Sequence, residues 1–491
     1  MKKRFLASLS ALSLFFLSLP QLPAQDLEMG YFLGGNPYAF RLNPAFQSER
    51  GIFSVALGGT SFGVWSNLGV STMLYPDSAT GEMYTFMNDK VSAPEFLKKI
   101  GRKNNLNVDV DLNLLTVGFW SNESFITLDF NVKSLNGASI PYDYFNFVKQ
   151  GTDAGSTFDL SGLGVRSKSF IEAAFGWSRN FNDVFNVGVR VKGLVGVEEA
   201  EVMMSKADLT MDENRWEIAA EGYLKASSPS ISAVHNDKGM IESLDINEEV
   251  YGPAGFGGAV DLGFSWNVWD DLTLSGSVLD LGGIRWNREV IGVTPNATYT
   301  WTPSQDTPAT DQEAIDREVE EMVDALGGIF QLQDVSGTGH GEFEMLPYRI
   351  HLGAEYRMPF YDKLSVGALY MMRGGSCFAK NTARLSLNWN PLSFLSLSTG
   401  TSLNRLGESI GFALNLHPAG INLLLGCDYI PMNVVKIESL VPEDSDALSD
   451  IPAQYRRFLV VPTNQMKMNL YVGLNLALGK RHLDHARRIR W

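Results

Sequence analysis

Eleven titratable side chains share one kind of position: the polar side of an alternating segment. They are Asp129, Lys133, Glu172, Arg190, Lys192, Asp261, Arg349, His351, Glu355, Arg357 and Arg384. Such groups could line a polar path or ligand site, or they could pair with one another and brace an interior. Both signs are present, and mixed signs do not select a charged solute. Arg349, His351 and Glu355 on one strand face can be drawn as a catalytic group. A hydrolase needs a positioned nucleophile and base, and none of the six histidines stands in a serine-hydrolase pattern. No histidine pair has zinc-type spacing; His482 and His485 fall in a basic tail that reads as solvated. The expectation is a protein that is not an enzyme and carries no cofactor or metal.

The segments that hold these residues are more informative. Ile126, Leu128, Phe130 and Val132 alternate with Thr127, Asp129, Asn131 and Lys133; Val187, Val189 and Val191 alternate with Gly188, Arg190 and Lys192. Strands send successive side chains to opposite faces, so each segment has an apolar and a polar face. The pattern recurs about fourteen times, from Phe53-Ser54-Val55 to Met468–Leu478, whose eleven residues suit a tilted strand crossing a bilayer.

The links between segments alternate in length. Short turns such as Ser121–Glu123, Asn180–Asp183 and Trp269–Asp271 follow the even segments. Long links, about 59–110, 134–168, 197–255, 281–345 and 431–465, follow most odd ones. Short turns at one end and long loops at the other are the layout of an outer-membrane barrel with both termini in the periplasm. The expected fold is therefore all-β: a closed antiparallel transmembrane β-barrel of about 14 strands with an N-terminal plug and long extracellular loops.

Composition agrees. The chain has 491 residues, mean hydropathy −0.05, 47 glycines and 11% aromatics. A polar interior dilutes the lipid-facing residues of a barrel, so near-zero hydropathy does not exclude a membrane protein. The net charge of −15 argues against nucleic acid. Cys377 and Cys427 cannot make a disulfide framework, and two separate thiols are expected over a single bridge.

The chain divides into four parts. Residues 1–24 read as a cleaved secretory signal, with Lys2, Lys3 and Arg4 before an apolar run. Residues 25–50 carry Asn36-Pro37 and Asn43-Pro44, which disfavour regular structure, and a dense aromatic set that is costly to leave in water. They read as a plug within or beneath the barrel. Residues 51–479 form the barrel, and 480–491 a basic tail. Within the 281–345 link, 311–326 reads as an acidic amphipathic helix started by a Thr310/Glu313 capping box. It suits a lid on the barrel mouth or a docking helix.

Asn43-Pro44-Ala45 just before the first strand resembles the FadL-type outer-membrane family, fourteen-stranded barrels with an N-terminal plug. The wider set includes PorV-type proteins of Gram-negative secretion systems. Val278-Leu279-Asp280-Leu281-Gly282-Gly283-Ile284-Arg285-Trp286 resembles an uncharacterised branch of that superfamily. Where such barrels often end on an aromatic residue, the last strand here runs out at Leu478-Gly479. The resemblance implies an outer-membrane location and passage of small hydrophobic molecules. The alternative is a structural or adaptor barrel anchoring surface or secretion partners. The expected partners are outer-membrane lipid and a small hydrophobic ligand.

Overall fold

The computed structural model of the chain describes residues 27–491 except 57, 77–82, 152–156, 183, 213–214, 248, 295–296, 302–331, 337–340, 375–379, 405–406, 419, 431–433, 439–457, 463–464, 481 and 483–491. The reading of 1–24 as a signal, the helix at 311–326, Cys377 and most of the 480–491 tail lie outside the described residues.

Fourteen antiparallel strands close into a barrel. Strand β1 is formed by Gly51–Val55 and Gly58–Gly69. Then come β2 (Lys103–Ser121), β3 (Ser124–Pro141), β4 (Gly164–Asn182), β5 (Phe185–Asp212), β6 (Gly255–Trp269) and β7 (Leu272–Trp286). The second half is β8 (Arg349–Arg357), β9 (Leu364–Arg373), β10 (Lys380–Leu392), β11 (Leu395–Asn404), β12 (Gly407–Leu416), β13 (Ile421–Ile430) and β14 (Gln465–Leu478). Each pairs with its sequence neighbour, and β14 closes on β1 through Gly51↔Leu478 and Phe62↔Leu470. All fourteen alternating segments are strands of this wall.

The alternation sorts the faces. Ile171, Val191, Leu352, Leu385, Leu470 and Leu476 are exposed on the outer surface. Their neighbours Glu172, Lys192, His351, Ser386, Asn469 and Asn475 are buried inside. An exposed apolar surface continuing around the whole wall suits hydrocarbon and not water. Phe181, Trp269, Phe360 and Phe394, exposed at or beside the short turns, supply aromatics at one interface. No helix among the described residues is long and apolar enough to cross a membrane.

At the other end the long links differ from plain loops. Strand β5 runs 28 residues, and its outer part pairs with the strand Arg215–Ser227. That strand pairs in turn with Val290–Val293 and Ala297–Trp301. Strand β7 continues to Trp286 against Glu342–Met345. The sheet therefore rises beyond the lipid belt, where alternation fades because neither face is required to be greasy.

Two irregularities matter below. In β1, Ala56 (φ 62°) and Gly59 (φ 90°) adopt left-handed conformations, and the register shifts between Gly58 and Thr60. In β7, Asp280 has φ 61° and the register against β6 shifts between Val260 and Leu262. Such bulges re-aim side chains.

A charge on the outer face should be costly. Val191→Arg or Leu352→Arg is expected to lower barrel stability by ~2–4 kcal/mol near the bilayer midplane. Leu352→Ala, which keeps an apolar outer face, should stay within ~1 kcal/mol. Refolding into lipid bilayers compares the three, and equal losses for Arg and Ala at 352 would sink the assignment of faces.

Candidate functional site: the filled lumen

Residues 27–48 run through the barrel interior and bond to strands on every side. The backbone N–H groups of Glu28 and Met29 donate to the Asp428 carboxylate of β13 at 2.9 and 2.5 Å. Arg384 of β10 and the Tyr429 hydroxyl donate to the Glu28 carboxylate at 3.0 and 2.8 Å. Tyr38 donates to the Leu474 carbonyl of β14 at 3.2 Å, and Tyr31 shares a 3.1 Å hydrogen bond with Ser275 of β7. Ser277 and the His351 Nδ1–H both donate to the Leu42 carbonyl, at 2.7 and 2.8 Å. Two short 3-10 turns, Glu28–Gly30 and Ala39–Arg41, provide the local structure.

Asn43-Pro44-Ala45 folds as a tight turn: Asn43 Oδ1 accepts the Ala45 N–H at 3.0 Å. Asn43 Nδ2 donates to the Phe264 carbonyl at 3.0 Å, and Asn186 Nδ2 donates to the Ala45 carbonyl. The turn rests on Gly188 of β5 and Gly263 of β6, which face each other in register. A Cβ at Gly188 would overlap the Pro44 carbonyl, and one at Gly263 would overlap Asn43. The same device recurs at Gly353 and Gly367 under Tyr31 and Phe32, and at Gly473 under Tyr38. A share of the many glycines therefore makes room for this segment.

Above it lies a band of paired charges. Arg41 reaches Asp129 at 3.2 Å and also donates to the Gly59 carbonyl exposed by the β1 bulge. Arg190 joins Asp129 (2.9 Å) to Asp261 (3.1 Å), and Lys192 meets Asp261 (2.8 Å), Glu172 (3.5 Å) and Asp280 (2.5 Å). Lys133 bridges Glu172 (3.1 Å) and Asp111 (3.5 Å), and Arg349 holds Asp280 at 2.8 Å. Five cations thus meet five carboxylates. Buried ions persist only when paired, so neutrality here is a condition of folding.

The eleven sequence-selected residues do not act as one site. Asp129, Lys133, Glu172, Arg190, Lys192, Asp261 and Arg349 join the ionic band. Arg384 serves Glu28 and Asp428. Glu355 accepts from Ser365 at 2.6 Å and, with Arg357, lines the mouth near the short turns. His351, Arg349 and Glu355 therefore go to three different partners and do not converge. His482 stacks on Trp120, and its N–H donates to the Glu49 carbonyl.

Sequence reading passed over Asp280, Arg41, Glu28 and Asp428. Asp280 sits in the quoted β7 motif, but strict alternation assigns Leu279 and Asp280 to opposite faces. The positive φ turns both inward, and the Asp280 N–H donates to Asp261 Oδ1 at 2.7 Å. A charged residue before Leu-Gly-Gly inside an alternating run was the available signal.

Beside the ionic band are two adjoining cavities, of about 100 and about 50 Å³, and Asp111, Lys133, Asp280 and Arg349 of the band line the larger. Leu42 and Glu28 line the larger. Leu135, Phe170 and Leu346 border both. The ion pair between Arg373 of β9 and Asp109 of β2 crosses the lumen beside both cavities.

A family model described as "Family of unknown function (DUF5723)" matches residues 44–428. The chain belongs to this family. Among solved structures it is similar to the Ralstonia pickettii toluene transporter TbuX, with 8% identity, TM-score 0.43, and 94% of this chain and 100% of that one covered. It is also similar to the P. putida toluene transporter TodX (10%, 0.39, 94% and 100%) and a Pseudomonas aeruginosa FadL homologue (10%, 0.37, 93% and 99%). No curated protein matches the sequence. The DUF5723 match starts at Pro44 and so takes in most of the Asn43-Pro44-Ala45 turn, all of β1–β12 and the β7 bulge.

Gly263→Ala should dislodge the turn over β6, costing roughly 1–3 kcal/mol as overpacking does, with faster hydrogen exchange at the Ala45 and Phe46 amides. Gly193→Ala on the same wall, where a Cβ meets only the Ala173 carbonyl at 3.9 Å, is the control and should change neither. Arg190→Met removes one of the two cations from each of Asp129 and Asp261, leaves the buried band one positive charge short, and is expected to cost ~3–5 kcal/mol in a refolding titration.

Proposed function

We propose that this outer-membrane barrel passes small, largely apolar molecules across the membrane, with residues 27–48 as its closure. The observation that supports this is the pair of cavities above the closure, walled by Leu135, Phe170, Leu346 and Met371. Concave sites with mostly apolar walls and a few fixed polar groups suit small ligands. The two adjoining cavities together offer ~150 Å³, about the space a benzene-sized ring takes. The closure is a separate segment bonded to the wall by side chains and not a strand of it, so it can move without opening the barrel. A signal segment at 1–24 would deliver the chain to the outer membrane.

A second reading is favoured by one observation: the band of charges is fully paired and the 27–48 segment is bonded on all sides. A barrel so filled also suits a sealed scaffold that anchors partners at the surface.

The test uses cells with a lipopolysaccharide outer leaflet. With the wild-type barrel, entry of a small apolar dye should rise several-fold over cells lacking it, while a sugar of similar size is excluded. Deleting residues 27–42 should admit both. If the wild type admits neither and the deletion variant both, the barrel is a scaffold and the transport reading is lost.

A further inference from the structure

The two cavities hold polar groups that the charge network does not use. Asn107 of β2 is 2% exposed and lines the outer cavity, and neither its Oδ1 nor its Nδ2 has a hydrogen-bond partner within the protein. Thr382 of β10 is 2% exposed, lines the inner cavity, and its hydroxyl is likewise unpartnered. Buried polar groups left without partners cost about 1–3 kcal/mol each and call for an explanation. The charged groups around them are committed. Asp109 holds Arg373, Arg166 holds Glu201, and Lys168 pairs with Glu344; at the inner cavity Lys133 pairs with Asp111, Arg349 with Asp280 and Glu28 with Arg384. Trp65, Phe170, Ile284 and Trp286 border the outer cavity, with Asn136, whose Oδ1 accepts from Ser167 at 2.8 Å.

We propose that these cavities form a two-station site for a neutral amphiphile: a single-ring or short-chain body bearing one hydroxyl or amide. The proposal rests on the passage reading above and narrows its substrate class. The body packs against the aromatic walls. At the outer station the head group hydrogen-bonds the Asn107 amide, which can both donate and accept. At the inner station it meets the Thr382 hydroxyl. A charged head is disfavoured, because every charge lining the outer cavity already has an opposite partner and a new one would have to break a pair. A molecule with no polar group leaves both side chains unsatisfied. Sites built to hydrogen-bond a group discriminate against the analogue that lacks it.

The experiment uses the full purified barrel in lipid nanodiscs, with benzyl alcohol, toluene and benzoate at pH 7 as probes. Binding is read by quenching of Trp286 fluorescence, with Trp286→Phe as the background. Benzyl alcohol should bind at least tenfold tighter than benzoate. Asn107→Leu should weaken benzyl alcohol by about five- to tenfold, the worth of one neutral hydrogen bond, and leave toluene unchanged. Thr382→Val, nearly isosteric, should also weaken benzyl alcohol selectively. It carries the test by itself if Asn107→Leu fails the heat-shift assay for a folded barrel. Equal binding of benzoate and benzyl alcohol overturns the proposal. So do parallel losses of toluene and benzyl alcohol, unchanged benzyl alcohol binding in the variants, or no binding of any probe. A barrel that binds benzyl alcohol in this way but admits no dye in cells keeps the site and loses the transport reading, so the two failures are separable.

Discussion

In hydrocarbon every backbone N–H and C=O must be bonded within the protein, and this one constraint organises the molecule. It forces β1 to pair on both sides, with β14 and with β2. Closure fixes which face of each strand meets lipid, and alternation does the rest. Apolar residues go out, and polar ones are gathered into an interior they must share. The network of Arg41, Asp129, Arg190, Asp261, Lys192 and Asp280 follows from that gathering. Charges pointed into a narrow lumen cannot all reach water, so they must neutralise one another.

A ring of fourteen strands encloses more space than its own side chains fill. The N-terminal segment supplies the missing volume with Tyr31, Phe32, Tyr38, Phe40 and Phe46, all buried. Lumen-facing glycines receive it, and the β1 bulge presents the Gly59 carbonyl to Arg41. Wall and filling are thus shaped to each other. Filling is incomplete beside the ionic band, where the space between Leu42 and Leu346 stays open. The packed part of the lumen serves stability, while the unpacked part leaves the Asn107 and Thr382 side chains without partners.

That open space has a definite place in the fold. It lies on the side of the long links, under the sheet built from β5, β7 and the strands paired to them, and the Asp109–Arg373 pair crosses it. From the long-link end inward come the aromatic walls, the cross-lumen pair, and then the larger cavity, which band residues and the N-terminal segment line together.

Much of the architecture was legible in the sequence because a membrane wall is a local pattern. Alternation such as Ile126–Lys133 and the unequal links fix strand number, faces and ends without long-range information. The Asn43-Pro44-Ala45 turn and the aromatic 25–50 segment are local too. Other features were decided only in three dimensions. Which charge meets which depends on strand register, and Lys192 reaches Asp280 88 residues away. The inward turn of Asp280 depends on a single positive φ that breaks the alternation used to read it. The climb of β5 to Asp212 lies above the lipid, where no greasy face is required and periodicity carries no signal. Asn107 and Thr382 look like any other lumen residues in the chain. Only packing determines which polar side chains find partners and which are left facing a cavity.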